Sequence, residues 1–344
     1  MKNRFKGTIL GGILLLLIIA GCGSEGNEAS GESRGGDNGG GEEYIIKFAH
    51  VVSPSVAKGK AAEKFGELIE ERTDGQIKVE VYSDSQLGSD REIIEQMQSG
   101  TVQMNAPFTG VLPTFVEDFE VFDLPFLFED REEAYEVTNG KLGELLDQKL
   151  ESQGLKLLNF WDGGFKHLTN SAHPIETPED MDGLKMRTSQ SPLLITQFQE
   201  LNAGGVSIDF SELYTSLQTQ TVDGQENPLS NIVSKKFYEV QDYLTLSGHG
   251  YMGYPLVISS NFYHSLPEDL QVAIDEVAQE VTEWQWDEAQ KDEEEYMKVL
   301  NESEIQINEL STEQKQAFKE AMSGVYDEFG KMEGSKELLE AIEH

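Results

Sequence analysis

Two residues carry the chemistry that holds a carboxylate. Arg187 sits in the run Leu184, Met186, Thr188, which alternates like a half-buried strand. A guanidinium at the end of such a strand is suited to gripping a carboxylate through two parallel hydrogen bonds. The three arginines before it in the folded part, Arg72, Arg91 and Arg131, fall at the ends of expected helices, where cations or solvated side chains are ordinary. A structural salt bridge to one of the many acidic groups is the competing reading of Arg187, and without further context it is the better supported one. Asn227 precedes Pro228. Proline pushes its predecessor out of the helical region, so Asn227 is extended, and its amide turns two donors and an acceptor in one direction.

The stretch that delivers Asn227 reads as a short helix and a turn. Asp209 and Glu212 have the spacing of a reciprocal N-terminal cap. Leu213, Leu217 and, less regularly, Tyr214 form the apolar face behind it. Val222-Asp223-Gly224 then reads as a turn in which the glycine takes positive φ.

Catalytic patterns are weak. The chain has no GxSxG, HExxH, GxxxxGK[ST] or CxxC. Asp223 and Glu226 are the one pair of carboxylates placed for acid–base work, but beside a glycine turn they read as solvated. His50, His167, His173 and His249 match no helical ligand spacing. They read as hydrogen-bonded structural histidines, which leaves no catalytic residue, no metal and no cofactor expected.

The elements that position these residues alternate between extended and helical, an α/β pattern. Strands are expected over 44–51, 77–82, 102–107 and 155–161, and helices over 58–72, 89–99 and 141–153. Thr73-Asp74-Gly75 stops the first helix, and Ser89 with Glu92 opens the second. The apolar run 119–128 reads as core. At Gly163-Gly164 the chain crosses into a second half, so 161–164 is a candidate hinge. Strands over 185–188, 206–208 and 257–259 follow. A chain of this length exceeds the single-core limit of about 250 to 300 residues, which favours two lobes. After Pro267 a long helix is expected with Leu270, Ile274, Val277, Val281 and Trp284 on one stripe. Residues 287–295, DEAQKDEEE, are almost wholly polar and read as solvent-bridging helix or as a charged linker between two helices.

Lys2, Arg4 and Lys6 precede the apolar run 9–20, which ends in Ala20-Gly21-Cys22. That is an export signal, too short for a spanning helix of about 20 apolar residues. Cys22 is the chain's single cysteine, so no internal disulfide can form. Residues 24–43 hold no large apolar side chain and read as a flexible tether. The net charge is −37 from 26 cations and 63 anions; removing residues 1–21 leaves −40. Such a surface excludes nucleic acid and anionic lipid as nonspecific partners. It suits salty or alkaline surroundings, where screening over roughly 3 Å at 1 M salt tempers self-repulsion. An anionic ligand then needs a local cationic pocket, for which Lys166 and Arg187 are the candidates.

The segments WDGGFKHLTN (161–170), GLKMRTSQS (183–191), FSELYTSLQTQTVDGQENPLSN (210–231) and SGHGYMGYPLVIS (247–259) resemble the DctP-type extracytoplasmic binding proteins of TRAP transporters, family 7. FAHVV, KGKAAEKF, EVFDLPF and HGYMGY resemble its four-carbon dicarboxylate branch. The resemblance implies a two-lobed, periplasmic-binding-protein-like α/β fold with a long helix spanning both lobes. Lobe I is expected from 44–163 plus about 251–290, and lobe II from 164–250 plus about 291–344, after a signal peptide (1–21) and tether (22–43). It further implies Arg187 as the carboxylate clamp, with Asn227, Lys166, His50, Lys58 and Tyr251 as further ligand contacts. His249 lies in a shared segment. Cys22 is similar to a lipobox cysteine, which implies a lipid anchor on the outer face of the cell membrane. Where the dicarboxylate branch has Thr-Pro and Leu-Ala-Pro-Ser, this chain has Val56-Ala57 and Asn105-Ala106-Pro107-Phe108. The expectation is a monomeric receptor that performs no chemistry and hands a small organic acid such as malate, succinate or fumarate to membrane permease subunits. A monocarboxylate or sugar acid, an ectoine-like zwitterion, and service to a sensor kinase remain open beside it, and an exported hydrolase is the competing enzymatic class.

Overall fold

The computed structural model describes residues 43–342. The expected signal, Cys22 and the tether up to residue 42 lie outside the described residues. The first half runs β1 (Tyr44–Ala49), α1 (Ala57–Arg72), β2 (Ile77–Tyr82), α2 (Asp90–Gln98), β3 (Met104–Asn105), α3 (Arg131–Thr138), α4 (Lys141–Glu151) and β4 (Leu155–Asn170). It continues through β5 (Lys185–Thr188), α5 (Pro192–Glu200), β6 (Gly204–Ser207), α6 (Leu213–Gln218), β7 (Gly224–Asn227), α7 (Leu229–Ser234) and β8 (Tyr243–Ser259). The chain closes with α8 (Ser260–Ser265), α9 (Glu268–Glu302), β9 (Gln306–Glu309), α10 (Thr312–Ala321), α11 (Ser323–Phe329) and α12 (Ser335–Ile342).

One sheet in the order β2-β1-β3-β8-β4-β7-β5-β6, with β9 on β8, runs through the body. Its axis is the antiparallel pair β4–β8, matched from Leu155–Ser259 to Asn170–Tyr243. β1, β2 and β3, mutually parallel along the row, join this ribbon at one end through Met104 and Asn105. β7, β5 and β6 join at the other end through His167 to Asn170. The ribbon therefore connects two α/β halves, as a continuous pair of strands. The break expected at Gly163-Gly164 does not occur: β4 passes through as a bulge between Asp162 and Gly164, where Gly164 takes φ +93°. The short strands expected over 155–161 and 257–259 are pieces of these long ones.

α9 packs on β4 and reaches both halves. Its apolar stripe Leu270, Ile274, Val277 and Val281 is buried against α1 and the first half, while Leu300 packs with Leu213, Ile232 and Phe237 of the second. Between them the contacts turn polar: Gln285 donates to Asp162 O at 2.7 Å and accepts from Asp162 N at 2.8 Å, and Trp161 Nε1 donates to Thr282 Oγ1 at 3.0 Å. No linker interrupts the helix. Residues of the polar stretch pair with cations, Glu288 and Asp292 with Lys60 of α1 at 2.8 and 2.9 Å and Glu293 with Arg131 at 2.7 Å.

Several local expectations hold, and three do not. Ser89 and Glu92 form the reciprocal cap of α2, and Thr73 ends α1 with Gly75 at φ +79°. Asp209 makes no side-chain cap: a single 3-10 turn, Phe210–Glu212, leads into α6, and Asp209 Oδ1 accepts from Gln190 Nε2 at 2.6 Å instead. Gly224 has no positive φ. It opens β7, and a Cβ there would lie 2.2 Å from Thr169 O, so close strand approach explains the glycine. Glu226, expected to be solvated beside a turn, is buried in β7.

Candidate ligand-binding site

β5 carries Arg187 into the interior, where it is 6% exposed. Its Nε donates to Ile208 O at 2.8 Å, and among the described residues its terminal nitrogens form no ion pair. The structural salt bridge is therefore not what this arginine makes. Arg187 lines a cavity between the two halves. Burial lowers the Arg187 pKa to about 10, against the opposing field of Glu226 and Asp209, a value at which the side chain stays cationic at neutral pH.

The first half lines this cavity with Val51, Val52, Ser89, Asp90, Arg91 and Phe108, and the second with Arg187, Ser189, Gln190, Asp209, Asn227 and Asn231. Ser189 Oγ donates to Gly110 O at 3.0 Å, joining the two rims. Asn227 is extended before Pro228 as expected, 1% exposed, and donates to Gln225 Oε1 while accepting from Asn231 Nδ2 at 2.8 Å. Arg187 and Asn227 are thus brought to one cavity.

The other four expected contacts do not line it. Lys166 is 1% exposed, with Nζ 2.8 Å from Glu226 Oε1 and 5.9 Å from the ring centre of Phe108. Lys58 donates to Ala106 O at 2.8 Å, lies 3.9 Å from the ring centre of Tyr254 and borders a second cavity with Arg131 and Asp162. Burial lowers its pKa to about 8. His50 is fully buried; its ring makes no short hydrogen bond among the described residues, and the Val52 backbone contact that favours its charged form is outweighed by burial. Burial and then the Lys58 ammonium hold its pKa down to about 3. Tyr251 packs against Phe128, Phe165 and Trp286 and donates to Asp162 Oδ1 at 2.9 Å.

Glu226 stands behind Arg187. Burial alone raises its pKa, but Lys166 and the hydrogen bond from His249 Nε2 at 2.9 Å outweigh this and hold it at about 2. Both carboxylate oxygens are thereby engaged away from Arg187. His249 Nδ1 also contacts Ser247 Oγ at 2.7 Å, and Gly248 N donates to His167 Nδ1 at 3.2 Å, which gives these two histidines structural partners. His173 is exposed and contacts Pro174 O. Among the described residues no group of three or more His, Cys, Asp or Glu is placed to hold a metal ion.

Sequence reasoning missed Asp90, Gln190 and Asn231. The available signals were local: Gln190 lies three residues after Arg187, and Asn231 lies one helical turn after Asn227.

The family model for bacterial extracellular solute-binding protein, family 7 (DctP), matches residues 48–332. The chain belongs to this family. It is 40% identical over 299 residues to the C4-dicarboxylate-binding periplasmic protein DctP of Rhodobacter capsulatus, covering 86% of this chain and 90% of that one. A TRAP periplasmic solute binding protein from Sulfurospirillum deleyianum with bound succinate superposes with a TM-score of 0.84 at 38% identity, covering 88% of this chain and 99% of that one. The sugar acid binding protein DctPAm from Advenella mimigardefordensis in complex with galactonate also gives 0.84, at 34% identity and 88% and 98% coverage. The fold is the two-lobed one of TRAP binding proteins, and the chain is an extracytoplasmic solute receptor of a TRAP transporter, not an enzyme.

Proposed function

We propose that this receptor captures a small organic acid, a four-carbon dicarboxylate such as malate, succinate or fumarate, between two lobes and delivers it to an ion-gradient-driven permease. Arg187 is the observation that carries the reading. A buried guanidinium that lines the cavity and forms no ion pair among the described residues suits a carboxylate, which supplies both charge and two hydrogen-bond acceptors. Lys166 supports the clamp from behind by engaging Glu226. Lobe I comprises 44–163 plus about 251–290 and lobe II 164–250 plus about 291–344, with the bulge at Asp162 and Gly164 between them. The mature protein is a monomer held to the outer face of the cell membrane through lipidated Cys22.

Thermal-shift screening tests the ligand class. At 100 times the dissociation constant a ligand adds about 2.7 kcal/mol of stability, so malate, succinate or fumarate should raise the melting temperature while glucose and amino acids should not. Shifts given only by sugars or peptides would end the carboxylate reading.

A further inference from the structure

A buried chain of amides ends in this cavity, and its direction is fixed from the far end. Gln241 Nε2 lies 3.1 Å from Val240 O and 3.3 Å from Asp223 O. Carbonyls only accept, so the nitrogen of Gln241 must face them, and its Oε1 accepts from Thr169 Oγ1 at 2.9 Å. Thr169 in turn accepts from Gln225 Nε2 at 2.9 Å, Gln225 Oε1 from Asn227 Nδ2 at 2.5 Å, and Asn227 Oδ1 from Asn231 Nδ2 at 2.8 Å. Turning any one amide over would oppose donor to donor or acceptor to acceptor somewhere along the chain. Asn231, 3% exposed, is therefore left presenting Oδ1, which has no partner among the described residues. The neighbouring hydroxyl of Tyr254 is directed to Met252 Sδ at 3.1 Å.

Gln190, which also lines the cavity, repeats the arrangement. Its Nε2 donates to the Asp209 carboxylate at 2.6 Å, which can only accept when ionised, so Gln190 Oε1 is turned away and is also buried without a partner. Both residues line the cavity. A buried acceptor without a donor is costly, and a ligand that brings the donor removes that cost.

We propose that the cavity selects carboxylates that also carry hydroxyl groups, with the Arg187 guanidinium holding the carboxylate and the oxygens of Asn231 and Gln190 accepting from ligand hydroxyls. This rests on the carboxylate reading and narrows it: among four-carbon diacids it favours malate and tartrate over succinate. A plain diacid offers only acceptors at neutral pH and leaves the unpaired oxygens buried.

Calorimetric titration of the tether-bearing soluble chain with matched pairs tests this, using both enantiomers of malate and tartrate against succinate, and glycerate against propionate. The hydroxylated member of at least one pair should bind at least about tenfold more tightly. Gln190→Met and Asn231→Ala should reduce that ratio, the loss falling on the hydroxy acid more than on its plain counterpart. Gln190→Met guards against misfolding of the Asn231 variant, because Gln190 sits at the cavity rim and not in the amide chain. Equal affinities within every pair, or a full ratio kept by both folded variants, would overturn the proposal while leaving carboxylate binding intact. Absence of binding by every carboxylic acid tested would instead remove the carboxylate reading, and this proposal with it.

Discussion

Lys166 Nζ lies 2.8 Å from Glu226 Oε1 with both side chains buried, so this lysine, expected as a ligand contact, neutralises an internal acid. Removing one member of a buried ion pair leaves an uncompensated charge, which costs about 3–5 kcal/mol. Lys166→Met should lower stability by that order in urea denaturation. It should also weaken succinate and a monoacid analogue to a similar degree, because Glu226, held only by His249, then competes for Arg187. Selective loss of the diacid in titration would show that Lys166 reaches the ligand.

Asp123 gives the fold a pH dependence of opposite sign to that of a paired acid. Burial raises its pKa from 3.8 to about 7; Lys166 and Ser191 oppose this, while Glu226 and Glu120 reinforce it. The folded state therefore holds a proton that the unfolded chain has lost, and this group's contribution to stability falls as pH rises from about 3.8 through about 7. Asp123→Asn, neutral at every pH, should raise the denaturation midpoint at pH 8 and change it little at pH 4. An equal gain at both values, or a loss at pH 8, would contradict the assignment.

Gln285 fixes the centre of α9 to the bulge of β4 through two hydrogen bonds to the backbone of Asp162. Gln285→Leu keeps the volume but strands a buried N–H and a buried C=O, at about 1–3 kcal/mol each. Unfolding should show a loss of about 2–4 kcal/mol, with hydrogen exchange fastest around residues 160–165. A variant as stable as the parent would mean that water replaces the glutamine.

What could be read from the sequence was what local rules decide. Alternation placed Arg187 in a strand, Pro228 made Asn227 extended, and the Ser89–Glu92 spacing gave the cap of α2. The chain could not announce that β4 continues through Gly163-Gly164, because pairing with β8, some ninety residues later, carries the strand across the bulge. Glu226 looked solvated for the same reason: its partners Lys166 and His249 lie far off in sequence. Gln190 and Asn231 needed more still, since only the completed hydrogen-bond chain determines which end of each amide faces the cavity. Asp209 misled because its spacing to Glu212 suits a cap, whereas Gln190 claims its carboxylate in the folded protein.

Anchoring is tested independently of the folded body. Cys22→Ser should leave the protein unlipidated and released from cells, with ligand affinity unchanged, since residue 22 precedes β1 by about twenty residues. Membrane retention of the variant at the parent level in cell fractionation would argue against lipidation at this cysteine.

Arg187 decides the central reading. Its Nε is held by Ile208 O, which fixes the plane of the guanidinium, and the residue lines the cavity. Arg187→Ala removes the buried guanidinium that would offer a ligand carboxylate two parallel donors, and truncating one side of a buried charged contact costs about 2–5 kcal/mol, on the order of 30- to several-thousand-fold in affinity. Arg187→Lys should recover part of this, because the ammonium keeps the charge and loses the planar fork. The anchoring bond to Ile208 is lost in Arg187→Ala as well, so melting temperature without ligand must be measured alongside titration to separate a damaged fold from a missing clamp. A folded Arg187→Ala protein that binds organic acids with the parent affinity would show that the carboxylate is held elsewhere.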